Sequence, residues 1–139
     1  MRRILLFFIL IFIIQSTALA ASSKVGTTFS KVQAIYLDLD WKETYLAILE
    51  LKWDIIRLGA YWREIEKTEG KFDFSELDWQ ISQAKTRKIP IVLTVGIKAP
   101  RWPEYYIPDW LWSKTKIPKG DRISKDPVIL HYTLRFIKR

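Results

Sequence analysis

The 139-residue chain has no cysteine, a single methionine and a single histidine, and only five glycines. Without cysteine there can be no disulfide, no thiolate nucleophile and no cysteine-based metal centre. A histidine zinc site or a Ser-His-Asp triad would have to be built around His131 alone. That residue falls in an amphipathic stretch near the C-terminus, so it is read as a helix residue and given no catalytic role. The sequence has no phosphate-cradling glycine loop and no metal-ligating cluster, so no cofactor and no metal are expected. No run of like charges appears either. Lys and Arg number 23 against 15 Asp and Glu, a formal +8, but two of these cations are Arg2 and Arg3 and the rest alternate with acids along the sequence. A nucleic-acid partner is therefore not expected.

What is present is a body rich in apolar residues, 49% of the chain, enough to bury a core. Residues 1–20 have the three parts of a secretory signal: Arg2 and Arg3, the apolar run Ile4 to Ile14, and Ala18-Leu19-Ala20 as a small-residue cleavage site. The apolar run is short for a bilayer span, which takes about 20 residues. A secreted or extracytoplasmic location is expected, with membrane attachment only if the segment is retained.

Residues 21–139 then alternate apolar runs with amphipathic stretches. Val25 to Ser30 predicts a first strand and Trp41 to Lys52 a helix, with Asp38 and Asp40 as available N-caps. Asp54 to Leu58 predicts a second strand with Arg57 near its end. Ser75 predicts the N-cap of a helix over Glu76 to Lys88, with Leu77, Ile81 and Ala84 facing inward. Ile91 to Val95 predicts a third strand, near-continuously apolar as a parallel sheet requires. A long aromatic and proline-rich loop from Gly96 to Lys125 follows. Asp126-Pro127 opens a last helix with Ile129, Leu130, Leu134 and Ile137 on its apolar flank. Three strand-helix units of this kind predict an α/β fold, the first three units of a (β/α)8 TIM barrel, with its working face at the strand C-termini.

The segment Arg57-Leu58-Gly59-Ala60-Tyr61-Trp62, then Ile65-Glu66, Gly70-Lys71-Phe72-Asp73-Phe74-Ser75 and Leu77-Asp78, resembles the second strand and following loop of the retaining (β/α)8-barrel glycoside hydrolases. It is most similar to the β-galactosidase and cellulase-like branches. Ala99-Pro100-Arg101-Trp102-Pro103-Glu104 is compatible with the same clan. The resemblance implies that residues 21–139 form the N-terminal part of a catalytic domain that hydrolyses the O-glycosidic bonds of a β-linked glycoside. It also implies that Arg57 supports the catalytic nucleophile. Tyr61, Trp62, Arg101, Trp102 and Glu104 are the candidate substrate-binding residues, through ring stacking and hydrogen bonds to hydroxyls. Glu66, Asp73 and Asp78 read as loop-shaping and capping residues rather than as the catalytic pair. In the resembled clan that pair comes from strands four and seven, with an Asn-Glu dipeptide supplying the acid, and this sequence contains no asparagine. The 139-residue chain is thus expected to be inactive by itself. The alternative is a non-catalytic carbohydrate-binding or membrane-anchored barrel fragment.

Overall fold

The computed structural model describes residues 23–98, 105–116 and 126–139. The predicted signal segment lies outside them. Three strands, β1 (Gly26–Thr28), β2 (Ile55–Gly59) and β3 (Ile91–Thr94), form one parallel sheet in the order β1-β2-β3. Six helices accompany them among the described residues: α1 (Lys31–Tyr36), α2 (Trp41–Leu49), α3 (Trp62–Ile65), α4 (Ser75–Thr86), α5 (Asp109–Trp112) and α6 (Pro127–Ile137).

The sheet is wound one way, and its two faces differ. Ile56 and Leu58 of β2 are fully buried beneath Tyr45 and Leu49 of α2 and Ala84 of α4, with Phe29 and Ile89 completing the layer. Burying an aliphatic side chain of this size stabilises by about 1.5–3 kcal/mol, so this layer holds both crossovers to the sheet. Side chains alternate along a strand, so Arg57 points to the opposite face. The register sets Arg57 beside Thr28 on one side and Val92 on the other, and all three are exposed. Gly26 sits on that face opposite Ile55, where a Cβ would collide with the isoleucine Cγ2, so the close approach of β1 to β2 requires glycine.

Local chemistry sets the helix boundaries and corrects several of the expected ones. Asp40 caps α2, its Oδ1 accepting from Lys42 N and Glu43 N, whereas Asp38 has φ +57° and lies in a turn. Helix α2 ends at Leu49, short of Lys52, because Lys52 has turned left-handed with φ +55°. Lys88 does the same after α4, at φ +57°. Ser75 is the first residue of α4, not its cap; Asp73 Oδ1 accepts the Ser75 N–H at 2.9 Å.

The last helix differs most from expectation. Asp126 caps α6 by accepting from Ile129 N, with Pro127 in the first turn, as the sequence predicts. The buried face is Ile129, Thr133 and Phe136, while Leu130, Leu134 and Ile137 are exposed. Phe136 wins because it stacks on the Trp62 indole at 5.3 Å between centroids, and the Thr133 hydroxyl returns its hydrogen bond to Ile129 O. Helix α6 therefore packs against the loop that follows β2, together with Ile65, Leu77, Ile107 and Leu111.

Candidate functional site

The carboxyl ends of β1 and β2 carry the residues singled out in the sequence. Parallel strands end together, so the loops that follow them meet at one edge of the sheet. Arg57 is the central residue of β2, two short of its end, on the face that no helix covers among the described residues. Its Nε donates to Thr28 Oγ1 at 3.1 Å. A guanidinium is a planar set of donors, a chemistry suited to a carboxylate or to sugar hydroxyls.

Tyr61 and Trp62 follow at once, where Gly59 and Ala60 let the chain leave the sheet. Trp62 is 0% exposed. Phe136 stacks against its ring, Trp110 meets it edge-on at 6.4 Å, and its Nε1–H donates to Glu66 Oε2 at 2.7 Å. Tyr61 is 6% exposed; its hydroxyl donates to Ser30 Oγ at 2.7 Å and its ring meets Tyr106 at 4.6 Å. Both rings are thus engaged in packing, which differs from the expectation of faces open to a sugar. The physical reason is that α6 and the segment around Tyr106 fold over the loop and take those faces. Arg101, Trp102 and Glu104 lie outside the described residues.

The loop is organised by Glu66, fully buried and saturated with donors. Oε2 accepts from Trp62, Oε1 accepts from Gly70 N at 2.7 Å and from the Arg135 guanidinium, and the backbone carbonyl accepts from Trp110 Nε1 at 2.9 Å. Gly70 reaches the carboxylate with φ +77°, a conformation that glycine adopts without cost. Glu66 has the loop-shaping geometry expected of it. Its partner Arg135 is what sequence reasoning missed, because no local spacing links residues 69 positions apart. The guanidinium is flanked by the rings of Tyr132, Trp110 and Phe72, and its buried Nε, which has no acceptor, is held among them.

A second acidic group supports the same turn. Glu69 accepts from Tyr132 Oη at 3.0 Å and pairs with Lys114 at 2.9 Å; the Lys114 hydrogen bond, followed by that of Tyr132, holds its carboxyl below the ordinary range. Asp73 is lowered by the Ser75 hydroxyl and then by the Ser75 N–H. Lys31, buried beside the end of β1, pairs with Glu76 and lines with Tyr61, Glu64 and Asp73 a cavity of about 30 Å3, a water-sized space rather than a sugar site. Among the described residues no group of three or more His, Cys, Asp or Glu is placed to hold a metal ion.

Compared with protein-family models and with curated proteins, the sequence matches none.

Proposed function

We propose that this chain is the N-terminal part of a secreted retaining glycoside hydrolase, the first three strand-helix units of a (β/α)8 barrel that hydrolyses a β-linked glycoside. Arg57 supports the nucleophile, and the two catalytic carboxylates are supplied by later strands of the same barrel. Tyr61 and Trp62 anchor the strand-two loop on its own packing, and Arg101, Trp102 and Glu104 make the sugar contacts.

The observation that carries this reading is the one-sided winding of the sheet. Strands in the order β1-β2-β3 with α2 and α4 on the same face leave the other face without a helix among the described residues, and Arg57 stands on that face beside Val92 and Thr28. A parallel sheet normally has both faces covered, either by helices wound in the opposite direction or by closure into a barrel. The unbroken strand order favours closure, with Arg57 turned to the barrel interior.

In such an enzyme a guanidinium beside the nucleophile keeps that carboxylate ionised and aimed, while the second glutamate protonates the leaving group and then activates water. The test is turnover of aryl β-galactosides and β-glucosides by the protein translated from the complete reading frame. Release of a sugar with retained anomeric configuration, reduced at least about 100-fold in kcat by Arg57→Ala, is expected. No turnover of any aryl glycoside, or inversion, would overturn the reading.

A further inference from the structure

We infer that the end of the sheet opposite the candidate site is a docking surface for an anionic lipid bilayer. The strands are parallel, so the residues that lead into them gather at one end. Lys24 precedes β1, Lys52 precedes β2, and Lys85, Arg87 and Lys88 precede β3. These five cations share that end with two carboxylates, Glu50 and Asp54. Glu50 and Arg87 pair with each other at 2.8 Å, Asp54 accepts the Val25 N–H, and the end keeps a net charge of +3, five cations against two carboxylates. Charge that alternates in sign along the sequence is thus sorted by the fold into a cationic end.

The same end is also apolar. Leu51 is 66% exposed and Val25 58%, and Trp53 stands half-buried between Lys52 and Asp54. Lys52, Trp53, Arg87 and Lys88, with Glu50 held by Arg87, line one open depression of about 390 Å3. Lys52 and Lys88 take up equivalent left-handed positions, one after each crossover helix, and so leave the body at the same level. Exposed lysines interleaved with a tryptophan and aliphatic side chains match the headgroup zone of an anionic membrane, where the cations meet phosphates and the apolar groups enter the acyl boundary.

The apolar run Ile4 to Ile14, with Arg2 and Arg3 ahead of it in the sequence, joins the described body at Ser23, just before β1 and so at this same end. Stable attachment to a membrane takes two signals, an apolar segment and a cationic patch. Where the segment is retained, the surface supplies the second signal, and it would leave the carboxyl ends of the strands facing away from the bilayer. This inference stands apart from the glycosidase reading and has its own test.

The full chain is sedimented with vesicles of phosphatidylcholine containing about one-third phosphatidylglycerol, and with phosphatidylcholine alone. Each lysine near an anionic surface strengthens binding about fivefold, so the triple variant Lys24→Gln/Lys52→Gln/Lys88→Gln should bind the anionic vesicles on the order of 100-fold more weakly. Binding to the neutral vesicles should be unchanged. The control Lys67→Gln/Lys71→Gln/Lys116→Gln removes the same net charge away from this end and should keep the anionic preference. Equal loss in both variants, or no preference of the unaltered chain for anionic vesicles, would overturn the inference.

Discussion

Glu66 and Arg135, 69 residues apart, form an ion pair in which the carboxylate is fully buried and the guanidinium lies among three aromatic rings. The pair fastens the last described helix to the loop after β2. Trp62, Gly70 and Arg135 all converge on one carboxyl group, so the loop conformation and the position of α6 depend on each other.

Removing one member of a buried pair leaves the other desolvated without its counter-charge, which costs about 3–5 kcal/mol. Arg135→Met is therefore expected to lower the urea midpoint sharply and to expose Trp62. Arg87→Met breaks a pair whose partner Glu50 is largely solvated, and should cost at most about 1 kcal/mol. Urea unfolding of the two variants side by side checks the contrast; equal losses would show that the buried pair is no more important than the surface one.

Tyr45 gives stability an alkaline limb. Its ring is buried and its hydroxyl donates to Gln80 O at 2.9 Å; burial pushes its pKa up to about 12, against a smaller opposing pull from Arg87. The unfolded phenol ionises near 10 and the folded one near 12, so the folded state holds the extra proton between them. Stability is complete below pH 10, falls as pH rises toward 12, and loses about 3 kcal/mol in all. Tyr45→Phe should remove this dependence. Thermal melts from pH 9 to 11.5 test it, and an unchanged slope in the variant would exclude Tyr45 as its source.

Asp126 gives an acid limb of opposite sign. The Thr115 hydroxyl at 2.6 Å, and then the Ile129 N–H, hold its carboxyl below the ordinary range. Its contribution is present above the usual carboxylate pKa and is lost as pH falls through the lowered one. Asp126→Ala should lower the melting temperature at pH 7 and flatten the melting curve against pH below about 4. A variant as stable as the parent at pH 7 would mean that the cap is not needed to hold α6.

The three strands were legible because parallel strands buried on a helix layer read as short apolar runs, and each was placed within two residues of its observed limits. Short helices α1, α3 and α5 were not, since four to six residues carry too few apolar positions to show a period. Ser30, whose Oγ accepts from Gln33 N, was the one local signal for α1. The flank of α6 is not legible in the sequence because Leu130, Leu134 and Ile137 are the better hydrophobic stripe by composition, while a single aromatic stack with Trp62 decides the packing. Arg57 could be located from the sequence; that neither crossover helix covers its face could not, because it depends on which side both crossovers take.

The side of β3 away from β2 carries a liability. Val92 and Leu93 of β3, and Val95 just after it, are exposed, and the strand is paired only to β2 among the described residues. Such edges template association between chains. The 139-residue chain is expected to self-associate with rising concentration in light scattering, and Leu93→Lys to suppress this without lowering helix content. Concentration-independent scattering from the unaltered chain would show that the edge is already protected.

The central claim, an incomplete glycosidase barrel, is met most directly by sequencing the transcript beyond the codon for Arg139. The account predicts a frame that continues through further strand-helix units, with an Asn-Glu pair followed later by a glutamate at a strand end. A stop codon directly after Arg139 would contradict it.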